Sequence, residues 1–398
     1  MIKVDLITGF LGSGKTTFIK KYVRYLLDKG EKIGIIENDY GAINVDMLLL
    51  GREFGDECGM EMVVAADPDC HRRRFKTKLI AMGMDGVNDG KYDRIIVEPS
   101  GIYDVDEFFD ILYEEPLDRF YEIGNVIAIV DAGLSDELSK ESDYLLVSQI
   151  AEAGMVVFSK VGGELPTRGE TMNGDESSVD DNVVNEKELS DGSKAACDDE
   201  VLSSEETAKM RGGNVENVIA HMNRALERFR CDRRYTLYDN ENSKKLIAKD
   251  IMIKPWDNLT AVDFERIESC GYVPEDHIKL HVTENNGYRS LFYYHVRMSE
   301  GELRSMAAGL FADESYGNIY RIKGFVPNEA NKQCDMYVEI NATRKQTEIT
   351  HTDKGQEVII VIGEGLDSAG IEDYIRRCSY EKDITAGQSN HNHGHSWQ

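Results

Sequence analysis

The chain has 398 residues, enough for two or three domains that each bury a core of their own. Its formal net charge of −27 argues against nucleic acid as a partner, because phosphate backbones are bound by basic surfaces. No apolar run approaches the ~20 residues that cross a bilayer, so we expect no membrane partner. The first strand begins at residue 2, which leaves no room for a removable signal peptide, and seven scattered cysteines are typical of reduced thiols. We therefore expect a cytoplasmic protein.

Residues 9–16 match the pattern G-x-x-x-x-G-K-[ST], the loop that wraps the phosphates of a nucleotide. Apolar residues at 2–7 predict a strand before this loop, and the apolar spacing over 17–28 predicts a helix after it. Lys15 would reach the β- and γ-phosphates, and the Thr16 hydroxyl would ligate Mg²⁺. Backbone N–H groups in such a loop point at phosphate oxygens. The predicted nucleotide contacts here are Gly12, Ser13, Gly14, Lys15, Thr16 and Thr17.

Four further apolar segments predict strands at 32–36, 93–97, 125–130 and 155–158, and helices are predicted at roughly 72–84, 104–113 and 136–150. Apolar strands that alternate with helices indicate an α/β fold, a parallel sheet of the P-loop NTPase kind with helices on both faces. Polar residues follow the carboxyl ends of these strands, where such sheets bind ligands. Asp131, at one of these ends, is interpreted as a helix cap and not as a catalytic acid.

Between Glu164 and Glu206, fourteen Asp and Glu residues stand against three basic residues, and aromatic residues are nearly absent. This composition predicts disorder, and we interpret the segment as a solvated tether. We assign residues 1–230 to a nucleotide-binding domain, closed by a helix at 215–229 and carrying a disordered insert at about 163–212.

Residues 235–380 are predicted to form a smaller α+β domain with an antiparallel sheet. Its predicted helices are 261–268 and 301–311, and its predicted strands are 277–283, 290–298, 318–326, 336–340 and 358–362. Residues 381–398 would be a flexible, histidine-containing tail.

With these segments in view, the chain resembles the CobW-like proteins, a branch of the metal-handling P-loop GTPases that includes UreG and HypB. The resemblance covers both domains and rests on five segments. These are the loop G-F-L-G-S-G-K-T-T, residues 37–41 (E-N-D-Y-G), residues 98–101 (E-P-S-G, matching E-x-x-G), and residues 320–326 and 361–367 of the second domain. It implies GTP binding, slow hydrolysis, and delivery or insertion of a metal ion into a client metalloprotein.

The resemblance also implies roles for individual residues. Lys15 and the loop amides would stabilise charge on the transferring phosphoryl group. Asp39 and Glu98 would hold the waters of Mg²⁺ or position the attacking water, and the N–H of Gly101 would sense the γ-phosphate. Residues 98–101 and 39–47 are the expected switches. Two other classes of function remain open, a small-molecule kinase and a non-catalytic, nucleotide-gated scaffold.

The guanine-reading motif of the family, N-K-x-D, is altered. The corresponding residues are Ser159-Lys160-Val161-Gly162, which lack the aspartate that accepts two hydrogen bonds from guanine. Ser159 and Lys160 are still expected to border the base, with the Lys160 stem packed on it. GTP follows from the family, while the residues themselves leave ATP open.

The metal motif of the family, C-x-C-C, is also altered, because Asp67-Pro68-Asp69-Cys70 stands in its place. If the registers match, carboxylates replace two thiolates and favour Zn²⁺, Mn²⁺ or Fe²⁺ over Cu(I), with Glu37 as a further ligand. The alternative is a turn that leads into a helix, with Asp69 as its N-cap.

Other histidines are weaker candidates for a metal site. His391, His393 and His395 could collect metal or could be incidental. His277 and His281 are interpreted as exposed residues on one strand face.

Overall fold

The computed structural model describes residues 1–38, 45–63, 68–101, 103, 105–161, 204–238, 248–280, 288–328, 336–344, 346–353, 355–380 and 384–388. The first seven strands of this described part are β1 (Ile2–Thr8), β2 (Ile33–Asn38), β3 (Gly59–Val63), β4 (Arg94–Pro99), β5 (Tyr121–Asp131), β6 (Met155–Ser159) and β7 (Ile251–Met252). They form one sheet in the order β3-β2-β4-β1-β5-β6-β7. Every pairing in it is parallel, which confirms the predicted P-loop type of fold.

Helices cover both faces of this sheet. They are α1 (Lys15–Asp28), α2 (Val45–Phe54), α3 (Pro68–Asp89), α4 (Val105–Leu112), α5 (Lys140–Ala151), α6 (Ser204–Arg228) and α7 (Ala261–Glu268). Successive strand residues point to opposite faces, so in β5 Val126 packs with α3 to α6 while Ile127 packs with α1, α2 and α7. This double burial explains why the strands read as continuous apolar runs.

Several elements of this region differ from the sequence prediction. Strands β3 and β7 and helix α2 were not predicted, because they are short or weakly patterned. Helix α6 begins at Ser204, inside the stretch predicted to be disordered, and residues 163–203 of that stretch lie outside the described residues. Strand β7 joins the parallel sheet and α7 packs on α1, although the predicted boundary at 235 placed both in the second domain.

The second sheet is antiparallel and, in the described part of the chain, has the order β11-β10-β9-β12-β8-β13. Its strands are β8 (Tyr288–Tyr294), β9 (Asn318–Pro327), β10 (Tyr337–Ala342), β11 (Thr347–Thr352), β12 (Val358–Glu364) and β13 (Thr385–Gln388). Helices α8 (Glu300–Ala312) and α9 (Ser368–Cys378) pack on one face around a separate core. This confirms the smaller α+β domain, although β11, β13 and α9 were not predicted.

The other face of the antiparallel sheet packs against the glycine loop. Leu11 lies against the apolar cluster that contains Phe325 and Ile360, and the rings of Phe10 and Tyr320 meet edge-on with centroids 5.6 Å apart. The second domain therefore sits directly over the predicted nucleotide site.

Two predictions for the second region were wrong in the structure. Residues 277–280 are not a strand, and His277 is buried next to the ring of Tyr144 instead of exposed. Residues 385–388 form β13 within the predicted flexible tail. His281, His391, His393 and His395 lie outside the described residues.

The described residues contain no helix that is both long and apolar enough to cross a membrane. The described cysteines form no disulfide bond with one another: Cys58, Cys70, Cys231, Cys270 and Cys378.

Candidate nucleotide-binding site

The glycine loop joins the end of β1 to the start of α1 and has a backbone that only glycine adopts easily. Gly9, Gly12 and Gly14 all have positive φ angles, of 148°, 73° and 97°. A Cβ on Gly9 would lie 2.4 Å from the carbonyl oxygen of Ile129, so β5 packs against the loop without room for a side chain. Gly14 occupies the N-cap position of α1. The loop amides and the helix N-terminus therefore converge on one point, which favours an anion there.

Lys15 is held against this loop. Its ammonium group donates a hydrogen bond of 2.9 Å to the carbonyl oxygen of Gly9, and the residue is only 7 % exposed. The cation thus lies inside the curve of the loop, where the β- and γ-phosphates of a bound nucleotide would be expected.

Thr16 and Glu98 belong to the expected magnesium side of the site, and Glu37, which was predicted as a ligand of a transition metal, lies next to Glu98. The Thr16 hydroxyl donates to Oε1 of Glu98 over 2.9 Å. Glu37 on β2 stands directly opposite Glu98 on β4, and each is only 2 % exposed. A hydroxyl beside buried carboxylates offers the hard oxygen donors that Mg²⁺ prefers, so these residues fit that ion. Asp39, the other predicted member of this group, lies outside the described residues.

Gly101 follows β4 and abuts the glycine loop. A Cβ at Gly101 would lie 2.8 Å from the backbone nitrogen of Leu11, so only glycine allows this approach. Gln149 donates to its carbonyl oxygen over 3.0 Å, and the amide of Ser100 donates to the carbonyl oxygen of Asn38 over 2.9 Å. These contacts tie residues 98–101 to both the loop and β2.

The end of β6 forms the opposite edge of the site. Lys160 has a φ of 55°, and its ammonium group donates to the carbonyl oxygen of Gly12 at 2.9 Å and to Asp131 at 2.7 Å. Asp131 also accepts a hydrogen bond from the amide of Gly133, so it organises this edge. It does not cap α5, which begins at Lys140, and the predicted helix-cap role was wrong.

Trp256 is a member of this edge that sequence reasoning missed. Its indole N–H donates to the carbonyl oxygen of Phe158 over 3.0 Å, and its ring lies 3.1 Å from where a Cβ of Gly14 would stand. Trp256 follows β7, a strand of only two residues that gives no periodic pattern. The one feature of the sequence that marks this position is an aromatic residue directly after a proline.

A cleft of about 540 Å³, a volume in the ordinary range for small-ligand sites, lies at the glycine loop. Its lining contains Glu98 and most of the predicted nucleotide contacts, Gly12, Ser13, Gly14, Lys15, Thr16, Thr17, Ser159 and Lys160, whereas Glu37, Gly101 and Asp131 do not line it. It also contains Arg321, Asn341, Thr343, Gln346 and Glu348 from the second domain, none of which the sequence had indicated. The cleft therefore lies between the two domains.

The predicted transition-metal site is only partly described. Asp67 lies outside the described residues, and α3 begins at Pro68, which puts Asp69 in the first helical turn and not at the N-cap. Cys70 is half-buried in that same turn. Strand β3 ends at Val63, level with Asn38 at the end of β2, so α3 starts at the sheet edge that carries Glu37.

The described side chains do not by themselves complete a metal site. No group of three or more His, Cys, Asp or Glu among them has metal-binding geometry. Burial raises the pKa of Cys58 to about 11 and that of Cys270 to about 12, so both stay protonated near neutral pH. Neither of these two cysteines is therefore suited to ligate a metal ion.

Comparison with known proteins locates this site in a family. The family description "CobW/HypB/UreG, nucleotide-binding domain" matches residues 3–182. Zinc chaperone YjiA of Escherichia coli (strain K12) is 31% identical over 170 residues, which cover 41% of this chain and 51% of that protein. Zinc chaperone YeiR of the same organism is 27% identical over 161 residues, or 40% of this chain and 47% of that protein.

A eukaryotic relative and a solved structure match as well. Zinc-regulated GTPase metalloprotein activator 1 of Dictyostelium discoideum is 26% identical over 206 residues, covering 44% of this chain and 42% of that protein. The chain thus spans about half the length of the curated relatives it matches. The crystal structure of Zn(II)-bound YjiA GTPase from E. coli aligns over 95% of this chain and 98% of that chain, at 15% identity. Its TM-score of 0.29 is too low to carry an argument about geometry. On these sequence matches, residues 3–182 are similar to the nucleotide-binding domain of the CobW/HypB/UreG family.

Proposed function

We propose that this protein binds GTP with Mg²⁺ in the cleft between its domains and hydrolyses it slowly. We further propose that its nucleotide state controls the delivery of Zn²⁺, or another divalent transition metal, to a client metalloprotein. The proposal that the protein binds a nucleotide rests on Lys15 and Thr16 at the start of α1 and on Glu98 of β4, which accepts a hydrogen bond from Thr16. The printed names of the relatives, zinc chaperones and a zinc-regulated GTPase, support the metal part.

Each group in the cleft has a defined task in this proposal. Lys15 and the loop amides bind the phosphates and stabilise the charge that builds up on them during transfer. Thr16 and Glu98 would hold Mg²⁺, which supplies charge neutralisation between the β- and γ-phosphates. Gly101 reports on the γ-phosphate through its backbone N–H, because it already touches the loop at Leu11. Lys160 borders the base and steadies the loop through Gly12.

Turnover assays with GTP and ATP, each with and without Zn²⁺, test the function as a whole. A GTPase releases inorganic phosphate without an added acceptor. A small-molecule kinase would form a phosphorylated product only when a metabolite is supplied, and a nucleotide-gated scaffold would bind nucleotide without turnover. Either of the last two results would overturn the GTPase proposal.

Base selectivity gives a separate prediction. The variant Ser159→Asn/Gly162→Asp restores N-K-V-D, and we expect it to raise the preference for GTP over ATP by tenfold or more. The reason is that a carboxylate accepting two hydrogen bonds from guanine gains about 1.5–3 kcal/mol for each, and adenine cannot donate that pair. Competition binding with both nucleotides measures the ratio. Ser159→Asn/Gly162→Asn is the control without the charge, and equal ratios in the two variants would contradict the prediction.

Metal binding gives another prediction, for protein with residues 389–398 removed. We expect one Zn²⁺ ion to bind with proton release, because a cysteine must lose its proton to become a ligand. Cys70→Ser should weaken Zn²⁺ at least tenfold and Mn²⁺ much less, since the thiolate is the soft ligand of the set. Asp67→Asn/Asp69→Asn should weaken both ions.

Cys378→Ser is the control for loss of a thiol in this titration, because Cys378 lies on α9 of the second domain. Calorimetry in two buffers of different ionisation enthalpy gives both the affinity and the proton release. If wild type, Cys70→Ser and the aspartate variant bound zinc with equal affinity, residues 67–70 would not be a metal site. They would then only lead into α3.

A further inference from the structure

The antiparallel sheet presents one face to the nucleotide-binding domain, and Arg321 belongs to that face. On β9, Arg321 stands opposite Ile362 of β12, and Phe325 stands opposite Val358. Phe325, Val358 and Ile362 are all members of the apolar cluster that packs against Leu11 of the glycine loop. Directly paired residues and every second residue of a strand share a face. Arg321 therefore extends from the sheet toward the glycine loop.

Thr343 fixes how close this part of the sheet comes to the phosphate site. A Cβ on Gly12 would lie 3.1 Å from the Thr343 methyl group, so the two domains touch at the loop itself. The pairing of β10 with β9 runs to Ala342 opposite Ile322, which puts Thr343 beside Arg321 on the neighbouring strand. Adjacent strands are about 4.8 Å apart, well within the reach of an arginine side chain. Arg321 lines the same cleft as Lys15 and Thr16.

Asn341 helps to orient the Arg321 side chain. The Nε of Arg321 donates to Oδ1 of Asn341 over 3.0 Å. This hydrogen bond helps to fix the plane of the guanidinium. Asn341 is therefore a positioning residue, and it also lines the cleft.

The charges around the cleft suit a polyphosphate. Its lining includes the cations Lys15, Lys20, Lys160 and Arg321 and the carboxylates Glu98 and Glu348, in a chain whose net charge is −27. Lys20 and Lys160 also pair with carboxylates outside the cleft. Lys15 belongs to the nucleotide-binding domain and Arg321 to the second domain. A strongly anionic ligand between them would contact both domains at once.

We propose that Arg321 binds the terminal phosphate of the nucleoside triphosphate, so that the contact between the second domain and the first is tighter in the triphosphate state than in the diphosphate state. This inference rests on the proposed function and adds to it a residue that links the nucleotide to the interface between the domains. A guanidinium suits the task because its planar fork matches two phosphate oxygens. In hydrolysis, a water oxygen bonds to the γ-phosphorus, the bond to the bridging oxygen breaks, and GDP, phosphate and one proton are released. Arg321 stabilises the charge on the transferring group and loses its ligand when the phosphate leaves.

The test compares three variants by calorimetry with Mg²⁺ and either GDP or the non-hydrolysable analogue in which an imido group bridges the β- and γ-phosphates. Arg321→Ala should weaken the triphosphate analogue at least tenfold and GDP less than threefold. Arg321→Lys keeps the charge but loses the fork, and its affinity for the analogue should fall between those of wild type and Arg321→Ala. Arg344→Ala is the matched control, since Arg344 is directed toward Asn318 and the carbonyl oxygen of Ile319 and does not line the cleft. It should leave both affinities near the wild-type values.

Two further measurements exclude a merely structural role for Arg321. Single-turnover GTP hydrolysis at saturating nucleotide should fall at least tenfold in Arg321→Ala, with a thermal unfolding midpoint close to that of wild type. Hydrogen exchange at the amides of 341–343 should slow when the triphosphate analogue binds wild type, but not when it binds Arg321→Ala.

The outcomes separate the two proposals. If wild type binds the triphosphate and Arg321→Ala changes both affinities equally or not at all, the inference fails and the proposed function stands. If wild type binds no nucleotide, both fail.

Discussion

Replacing Lys15 with alanine is expected to lower GTP affinity and turnover by at least a hundredfold while the fold stays intact. Lys15 brings a nearly buried cation into the curve of the loop, held by the carbonyl oxygen of Gly9. Charge-assisted hydrogen bonds to phosphate oxygens contribute about 1.5–3 kcal/mol each, and one ammonium group can make more than one of them. The two other lysines that line the cleft have different partners: Lys160 donates to Gly12 and Asp131, and Lys20 pairs with Glu53.

Lys21→Ala is the matched control. Lys21 lies six residues further along α1, pairs with Asp257 at 2.8 Å and does not line the cleft. Both variants should unfold at nearly the wild-type temperature and keep the wild-type circular dichroism spectrum. Undiminished GTP turnover in Lys15→Ala would remove the nucleotide part of the proposed function.

The glycine loop could be predicted from the sequence because everything it needs is local. Gly9, Gly12 and Gly14 adopt the positive φ angles that the loop needs, and they lie within six residues of one another. Lys15 and Thr16 come next in the sequence and are the first two residues of α1. The strand ends that carry Glu37 and Glu98 were predictable for a related reason. Parallel strands bring their carboxyl ends to one edge of the sheet, whatever the strand order is.

The wall of the cleft formed by the second domain could not be predicted in this way. Arg321 faces the loop only because β9 pairs with β10 and β12 in a particular register, and a shift of one residue would turn it to the opposite face. Trp256 was missed for a similar reason, since β7 is only two residues long and gives no periodicity. His277 was predicted to be exposed because an alternating pattern was interpreted as a strand, whereas it packs against Tyr144.

Helix α7 shows how a correct local prediction can be assigned to the wrong domain. The predicted bounds agree with the observed ones, and a capping box of Thr260 and Asp263 explains the start. Its partners are nevertheless on α1, where Phe264 stacks on Tyr25 with ring centroids 5.1 Å apart. The amphipathic pattern gives the buried face of a helix, but it does not identify the surface that covers that face.

A buried charge network around Arg94 also joins α7 to the parallel sheet. Arg94 is almost fully buried and donates to Asp5 at 2.7 Å, to Glu31 at 2.8 Å and to Glu268 at 3.4 Å. Asp5 is inaccessible to solvent and also accepts hydrogen bonds from the Tyr22 hydroxyl and the Asn125 backbone amide, both at 2.8 Å. Both carboxylate oxygens of Asp5 thus accept hydrogen bonds inside the parallel sheet.

Replacing Arg94 with methionine is expected to lower the free energy of unfolding by about 3–5 kcal/mol. Removal of one partner leaves the Asp5 carboxylate buried without its counter-charge, and that loss exceeds the packing that methionine restores. Asp5→Asn/Arg94→Met removes both charges, so its loss should be smaller than the sum of the two single losses. Urea unfolding followed by circular dichroism measures all three variants, and nucleotide affinity should stay near the wild-type value in those that remain folded.

The same network predicts how stability depends on pH. Burial of Glu268 acts to raise its pKa, but hydrogen bonds from Lys29 and Tyr25 outweigh burial and hold the pKa below the usual 4.5. Because the pKa in the folded state is the lower one, the contribution of Glu268 is complete above about pH 4.5 and is lost as the pH falls through the folded value. Arg94 adds to this effect, so Arg94→Met should lose less stability than wild type as the pH falls through the folded pKa of Glu268.

Arg304→Met is the control for the Arg94 variant because it removes the same charge from an exposed pair with Glu300 on α8. Exposed pairs of this spacing contribute about 0.3–0.5 kcal/mol, so its unfolding midpoint should hardly move. If Arg94→Met cost no more than Arg304→Met, the buried pair of Arg94 and Asp5 would contribute no more to stability than an exposed pair, which would contradict the prediction. If Arg94→Met responded to acid as wild type does, Arg94 would not contribute to the acid dependence that Glu268 gives.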